Sequence, residues 1–215
     1  MKNRFDLIIF DWDGTLIDSI DWIASCLQQA AVACGIAVPE TQAAKNVIGL
    51  SINNVMQSLF PEIDPLTQAQ LVACYSQQYN SKQISPDDLF PGVYAMLVEL
   101  KESGYQLAVA TGKTRVGLQK ALQATGTEEL FCVTRCADET ASKPNPKMLL
   151  EIIQHTQAAK ERTLMIGDSI HDLQMALNAP ISAIAVSCGA NSAELLQQYH
   201  PLLCLQQPTE LLNII

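Results

Sequence analysis

Short apolar runs alternate along the chain with longer segments in which apolar residues recur every three or four positions. The short runs end in turns that contain glycine or acidic residues, which is typical of buried parallel strands; they are 5–10, 106–110, 162–166 and 181–186, with a weaker edge candidate at 202–205. The segments with helical periodicity are 92–103, 115–125, 145–157, 170–178, 191–199 and 208–214. This alternation predicts a doubly wound α/β fold, with a parallel sheet and a Rossmann-like core.

One section of the chain interrupts this alternation. Residues 17–87 contain no convincing strand, and their pattern predicts helices at 17–34, 41–47, 51–59 and 67–83. Such a long helical segment between the first and second strands exceeds an ordinary crossover connection. We therefore predict an α/β catalytic core formed by 1–16 and 88–215, with a helical cap inserted at 17–87.

Composition excludes several classes of protein and partner. Of the 215 residues, 48% are hydrophobic and 16% are charged, which is too apolar for a disordered chain. The net charge of −9 argues against nucleic acid or an anionic membrane surface as a partner, because both require a basic face. The apolar runs are too short for a membrane span, and no secretory signal begins the chain. The seven scattered cysteines are typical of free thiols in a reducing compartment, so we expect a cytoplasmic protein.

The most informative motif follows the first predicted strand, where Asp11 and Asp13 flank Trp12 and precede Gly14. Side chains two residues apart at a strand end point to the same side. Two carboxylates at this separation repel each other, so the site requires a cation or a shared proton. Mg2+ fits because it prefers hard oxygen ligands, and one carboxylate could then act as nucleophile while the other acts as general acid and base. Taken alone, such a pair also fits an acidic turn that caps a helix.

A second acidic motif follows the strand predicted at 162–166. Asp168 would face the same crevice as Asp11, since the carboxyl ends of parallel strands share one edge. Asp172, four residues later, could lie behind Asp168 and orient it. An N-cap for the next helix is the alternative interpretation of this motif.

Two further segments offer groups that bind phosphate. Thr111 and Gly112, after the strand at 106–110, present a hydroxyl and backbone N–H groups at a helix N-terminus. Lys143 precedes a proline just before another helix and could hold a positive charge in the crevice. Either segment alone fits an ordinary turn or loop. Together with the acids at the same sheet edge, they predict a Mg2+-dependent site for phosphoryl transfer.

The four motifs resemble those of the haloacid dehalogenase-like hydrolase superfamily, in the order of that family and over essentially the whole chain. The matching segments are 11–19, 111–113, 143–144 and 167–172. The helical segment after the first motif resembles the cap of the phosphoglycolate phosphatase-like branch.

The resemblance implies a role for each motif residue. Asp11 would attack phosphorus and become an aspartyl phosphate, and Asp13 would protonate the leaving oxygen and then deprotonate the attacking water. The implied phosphate ligands are Thr111, Gly112 and Lys143. The implied Mg2+ ligands are Asp11, the Asp13 carbonyl and Asp168, supported by Asp172.

The resemblance leaves alternatives for the reaction. Asp13 favours a phosphatase, since the family's dehalogenases lack this second acid, and the expected substrate is a small-molecule phosphate monoester such as phosphoglycolate or a sugar phosphate. A sugar phosphomutase of the same branch shares the motifs. A non-enzymatic, receiver-like phosphoacceptor protein also clusters acids with a threonine and a lysine, but it needs only about 120 residues and no helical insertion.

Two lysines and the oligomeric state complete the predictions. Lys45 lies in the stretch that faces the active site in relatives, so it is a candidate for substrate specificity, although a solvated helix lysine fits the same pattern. Lys113 could reach toward the substrate or lie in solvent, and solvent is the expectation. No long exposed apolar stripe is apparent, which favours a monomer over a homodimer.

Overall fold

The computed structural model describes residues 4–215, and a parallel six-stranded sheet lies at its centre. Its strands are β1 (Leu7–Phe10), β2 (Gln106–Thr111), β3 (Val133–Cys136), β4 (Thr163–Gly167), β5 (Ser182–Val186) and β6 (Cys204–Leu205). Their order across the sheet is β3-β2-β1-β4-β5-β6, and all neighbours are parallel. The predicted doubly wound α/β fold is confirmed. Residues 1–3, part of the predicted core segment 1–16, lie outside the described residues.

The helices in chain order are α1 (Ile20–Ala33), α2 (Thr41–Asn46), α3 (Ile52–Leu59), α4 (Pro65–Tyr79), α5 (Val93–Glu102), α6 (Arg115–Thr125), α7 (Lys147–Thr156), α8 (Ile170–Asn178) and α9 (Ala193–Gln197). The helix predicted at 208–214 is a 3-10 helix, Pro208–Asn213. Within residues 4–215, none of these helices has both the length and the apolar character needed to cross a membrane.

The two faces of β1 pack against different sets of helices. Ile8 and Phe10 belong to an apolar cluster that includes residues of α5 and α6. Leu7 and Ile9 belong to another, which includes residues of α7 and α8. All four side chains are fully buried. Because both faces of the strand are covered, its sequence is a continuous apolar run, which is the pattern that predicts it.

The apolar pattern does not predict β3. Its sequence is Val-Thr-Arg-Cys, and it forms one edge of the sheet. Arg135 is only partly buried and pairs with Glu151 of α7 at 2.9 Å. An edge strand has one unpaired side and can carry polar side chains, so it lacks the apolar signature of the central strands.

Helices α1 to α4 pack around an apolar cluster of their own, which includes Leu27, Met56 and Leu71. The chain entering and the chain leaving this segment meet where Ile17 forms an isolated antiparallel bridge with Leu89. Helix α4 begins at Pro65 rather than at residue 67, because Asp64 accepts hydrogen bonds from the N–H groups of Leu66 and Thr67. The exact division into a core and a cap at 17–87 stays a prediction.

Candidate active site

Asp11 and Asp168 lie close together because their strands are neighbours in the sheet. Phe10 of β1 pairs with Ile166 of β4, and the Asp11 N–H donates to the Ile166 carbonyl at 2.9 Å. Asp168 directly follows Gly167, the last residue of β4. Both acids are almost fully buried at the carboxyl end of the sheet, where doubly wound folds bind their ligands.

The carboxylate of Asp168 is fixed by two hydrogen bonds. The Thr15 hydroxyl donates to Oδ1 and the Ala190 N–H donates to Oδ2, both at 2.7 Å. A Cβ atom at Gly14 or at Gly189 would collide with this carboxylate. Gly14 also has a φ of +78°, in the left-handed region that favours glycine. The glycine of the first motif is therefore explained by the close approach of Asp168.

Lys143 lies between two buried carboxylates. Its Nζ is 2.6 Å from Asp11 Oδ1 and 2.6 Å from Asp172 Oδ1, and the Lys143 side chain is fully buried. Asp172 Oδ2 accepts hydrogen bonds from the Ser169 hydroxyl at 2.6 Å and from the Ser169 N–H at 3.1 Å, as part of a capping box that begins α8. Asp172 is thus held by the helix start, and it holds Lys143 beside Asp11.

The buried cluster has an excess of negative charge. Carboxylate oxygens of Asp11, Asp168 and Asp172 lie within 4.8 Å of one another, and Lys143 is the ammonium beside them. With all three carboxylates ionised, one ammonium leaves two negative charges uncompensated. Burial raises the pKa of Asp11 well above its usual value despite the nearby ammonium, and burial together with Asp172 raises the pKa of Asp168 to about 7. A divalent cation would balance this charge.

One oxygen of the cluster is available to a further ligand. Asp11 Oδ2 is buried and has no hydrogen-bond partner among the described residues, a condition that is rare for buried polar atoms. The cluster offers carboxylate oxygens, which are the ligands that Mg2+ prefers. The residues therefore fit a divalent cation at the carboxyl ends of β1 and β4.

Asp13 is anchored by residues outside this cluster. Its Oδ1 accepts a hydrogen bond from the Ser19 hydroxyl at 2.7 Å, and its Oδ2 lies 3.0 Å from Lys113 Nζ. Ser19 is the N-cap residue of α1, and the motifs alone do not assign it a function. These two contacts fix the direction of the Asp13 carboxylate.

The expectation that Lys113 lies in solvent is wrong. Its side chain is only 8% exposed, and Nζ donates to the Tyr79 hydroxyl at 2.5 Å and lies 4.7 Å from the centre of the Tyr79 ring. Tyr79 in turn stacks on Tyr75 of α4. Burial opposes the charge on Lys113, but the Asp13 carboxylate and Tyr79 raise its pKa above the usual value, so it stays an ammonium.

Thr111 ends β2, the strand next to β1, and Gly112 follows it in the turn. Thr111 is the last residue of β2, is almost fully buried, and accepts a hydrogen bond at Oγ1 from the Lys113 N–H at 3.2 Å. A Cβ atom at Gly112 would collide with the backbone of Gly49 and Leu50. The turn after β2 therefore lies directly against the helical segment. Phosphate binding by Thr111 and Gly112 stays a prediction.

A cavity of about 230 Å³ lies beside Asp13, between the helical segment and the start of α6. Lys113 lines this cavity, whereas Lys45 does not. Lys45 instead pairs with Asp21 of α1 at 2.5 Å. The structure thus brings the motif residues together but does not bring Lys45 to the cavity, and the role of Lys45 in specificity stays a prediction.

The family model for haloacid dehalogenase-like hydrolases matches residues 8–186, which include all four motifs. The chain belongs to this family. The resemblance inferred from the motifs is therefore confirmed.

Two curated relatives of the chain are named as phosphatases. Pyrophosphatase PpaX of Halalkalibacterium halodurans is 29% identical over 213 residues, covering 99% of this chain and 97% of PpaX. "Probable phosphatase IndB" of Dickeya dadantii is 33% identical over 201 residues, covering 91% of this chain and 86% of IndB. These names support a phosphatase of the family.

The fold is shared with solved structures of the family. The crystal structure of a predicted phosphoglycolate phosphatase from Haemophilus somnus has a TM-score of 0.87 at 23% identity, covering 100% of this chain and 99% of that one. At this identity the likeness establishes the fold and leaves the substrate open.

Proposed function

We propose that the protein is a Mg2+-dependent phosphatase that hydrolyses a small-molecule phosphate monoester through an aspartyl phosphate on Asp11. The buried cluster of Asp11, Lys143, Asp168 and Asp172 carries this proposal, because it combines a carboxylate that has a free oxygen with a fixed ammonium and an excess negative charge. Phosphoryl transfer depends mainly on positioning and electrostatic stabilisation, which such a cluster supplies.

In the first half of the reaction, an Asp11 oxygen bonds to phosphorus while the bond from phosphorus to the ester oxygen breaks. Asp13 enters this step protonated, with its ion pair to Lys113 broken; it gives its proton to that oxygen, and the product leaves as an alcohol. The Lys143 ammonium, the Thr111 hydroxyl and the Gly112 N–H stabilise the negative charge on the oxygens of the transferred group. The phosphoryl group is then bound covalently to Asp11.

In the second half, a water molecule attacks phosphorus and gives a proton to Asp13. The bond between phosphorus and Asp11 breaks, which releases inorganic phosphate and restores the Asp11 carboxylate. Asp13 is protonated again and ready for the next substrate. One carboxyl group thus serves first as acid and then as base.

Asp11, Asp168 and the backbone carbonyl of Asp13 are the proposed Mg2+ ligands. When bound, the cation neutralises charge on the phosphate and on the clustered carboxylates. Asp172 is assigned a supporting role, because its two oxygens already face Lys143 and Ser169. It keeps the Lys143 ammonium directed at Asp11.

Release of inorganic phosphate, measured with Mg2+ and with a chelator, tests this proposal. The substrates are phosphoglycolate, sugar phosphates, nucleotides, pyridoxal phosphate and pyrophosphate. Asp11→Asn removes the nucleophile, so we expect kcat to fall by about 10⁴-fold or more. Asp87→Asn is the matched control, since Asp87 is an exposed acid on a 3-10 turn, and it should keep wild-type turnover.

Each alternative has its own outcome in this assay. Full turnover by Asp11→Asn would refute the aspartyl phosphate. Little phosphate release, together with conversion of a sugar phosphate that depends on a bisphosphate primer, would identify a phosphomutase. If the protein is folded and binds Mg2+ but releases phosphate from none of the substrates, the proposed phosphatase activity is contradicted.

A further inference from the structure

Two cysteines from different helices lie side by side in the helical segment between β1 and β2. Cys34 is the C-cap residue of α1, and Cys74 lies on α4. Their sulfur atoms are 3.8 Å apart, and both side chains are partly exposed and pack against the apolar cluster of α1 to α4. In a disulfide the two sulfur atoms are about 2.05 Å apart, so an approach of under about 2 Å would bring these two within bonding distance.

The spacing of cysteines in the sequence does not indicate this pair. Forty residues separate Cys34 from Cys74, and the contact arises because α1 packs against α4. Cys132 and Cys136 are far closer in sequence, but Cys132 precedes β3 and Cys136 ends it. Four residues of extended chain span about 13 Å, whereas a disulfide requires Cα atoms within about 7 Å of each other.

We propose that Cys34 and Cys74 form a reversible disulfide, and that the oxidant is a small-molecule disulfide of the glutathione type. The thiolate of one cysteine bonds to one sulfur of this oxidant, whose S–S bond breaks and releases a first small thiol. The second cysteine then bonds to the sulfur of the first and releases a second small thiol. The protein loses two hydrogen atoms, each a proton and an electron, and the two released thiols gain them.

The proximity of the second thiol, rather than a stabilised thiolate, favours this reaction. Burial and the neighbouring Cys74 thiol raise the pKa of Cys34, so Cys34 is a thiol at neutral pH. A small thiol bound to one cysteine is a leaving group beside the other, and the intramolecular step then has a high effective concentration. An exposed cysteine without such a neighbour, such as Cys132, stops at the mixed disulfide.

A bond between Cys34 and Cys74 would close a loop that contacts the candidate active site. Residues 49–51 lie in this loop, and they contact Gly112 after β2 and the Ser142 hydroxyl next to Lys143. Because the sulfur atoms are already neighbours in the folded chain, the bond keeps the folded arrangement and restricts mainly the unfolded chain. Oxidation should therefore stabilise the protein, and neither thiol belongs to the proposed catalytic residues.

Incubation of the full-length protein with oxidised glutathione, compared with dithiothreitol, tests the proposal. We expect a peptide in which Cys34 is linked to Cys74, about 2 Da lighter than the two reduced peptides together, and its loss after dithiothreitol. In urea unfolding followed by circular dichroism, the unfolding equilibrium constant of the linked protein should be lower by about 100-fold. Glutathione retained on either cysteine, two thiols left free, or a linked protein that is no more stable would overturn the proposal.

Serine variants show whether the effect comes from this pair. Cys34→Ser and Cys74→Ser each remove one sulfur at a partly exposed position, so neither should gain stability from oxidised glutathione. Cys132→Ser is the matched control, because Cys132 is an exposed cysteine outside the helical segment, and this variant should gain as much as the wild type. A gain in Cys34→Ser or in Cys74→Ser, or its absence in Cys132→Ser, would refute the assignment.

Discussion

Each buried charge in the site contacts a partner that is itself held by a second contact. Lys143 is 2.6 Å from Asp11 and from Asp172, and the start of α8 holds Asp172. One oxygen of Asp13 accepts a hydrogen bond from Ser19, and the other forms an ion pair with Lys113. Removing one member of a buried ion pair typically costs about 3–5 kcal/mol, because the other charge is left unpaired. The partners of the reacting groups thus matter for folding as well as for chemistry.

Replacing Ser19 by alanine tests how strongly the direction of Asp13 matters. The Ser19 hydroxyl donates to Asp13 Oδ1 and makes no cap hydrogen bond to α1, so its loss leaves the helix start intact. We expect kcat to fall about tenfold with little change in KM, because the acid is less well oriented. Steady-state kinetics measure both constants.

Ser192→Ala is the matched control for this change. The Ser192 hydroxyl caps α9 by accepting from the Leu195 N–H, and none of its described hydrogen bonds is to Asp11, Asp13 or Asp168. Its loss should lower the free energy of unfolding by about 1 kcal/mol and leave kcat unchanged. Wild-type kcat in Ser19→Ala would contradict the anchoring role.

The motif residues were predictable because short, contiguous patterns carry them. Asp11 and Asp168 each follow a buried apolar strand, and neighbouring parallel strands bring their ends together. The burial of Lys113 was not predictable in this way. Its partner Tyr79 is 34 residues away on α4, and no local pattern links the two.

The turn after β2 and the loop before Lys143 both contact residues 49–51 of the helical segment. Gly112, after β2, lies against the backbone of Gly49 and Leu50. The Ser51 N–H donates to the hydroxyl of Ser142, next to Lys143, at 2.8 Å. The stretch before α3 therefore contacts two of the loops that carry site residues, so its position and the geometry of those loops are coupled.

Gly112→Ala tests this coupling. A Cβ atom would collide with the carbonyl groups of Gly49 and Leu50, which must then move away. We expect kcat/KM to fall by about tenfold or more, because small displacements in an active site have large kinetic effects. The free energy of unfolding should also fall, by about 1–3 kcal/mol, because backbone atoms must move. Kinetics and urea unfolding measure the two effects separately.

Gly104→Ala is the contrasting variant. Gly104 has a φ of +90° and no atom within 4 Å of an added Cβ, so alanine there is strained but collides with nothing. It should lose about 1 kcal/mol of stability and keep full activity. Loss of stability without loss of activity in Gly112→Ala would contradict the coupling.

The strands that the sequence predicts are those whose residues are mostly buried, because burial requires an apolar run. The strands β1, β2, β4 and β5 are apolar runs, whereas the half-polar edge strand β3 is not. Helix boundaries in the helical segment between β1 and β2 depended on capping contacts, such as those of Asp64 at α4. Periodicity alone does not contain that information.

At the scale of the whole molecule, the fold concentrates acids at one edge of the sheet. The chain has a net charge of −9, and ionisation of the three buried carboxylates around Lys143 leaves two negative charges uncompensated. Bringing like charges together opposes folding unless a cation neutralises them. Binding of the metal and stability of the fold are therefore linked.

Mg2+ should raise the stability of the wild-type protein. At a free Mg2+ concentration of about 100 times Kd, we expect the free energy of unfolding to rise by about 2.7 kcal/mol. Asp168→Asn removes a proposed ligand, so it should lose most of this gain. Urea unfolding with Mg2+ and with a chelator measures the difference, and equal gains in the two proteins would contradict the proposed site.

The most direct test of the central claim is detection of the phosphoryl group on Asp11. The Asp13→Asn variant is incubated with Mg2+ and p-nitrophenyl phosphate, whose leaving group departs without a proton from Asp13. The sample is then quenched in acid, digested at low pH and examined by peptide mass spectrometry. Because breakdown of the intermediate requires a base at Asp13, we predict that the peptide containing Asp11 gains the mass of one phosphoryl group, and that Asp11→Asn abolishes the gain. A phosphoryl group on another residue, or its absence while the wild type releases phosphate, would contradict the account.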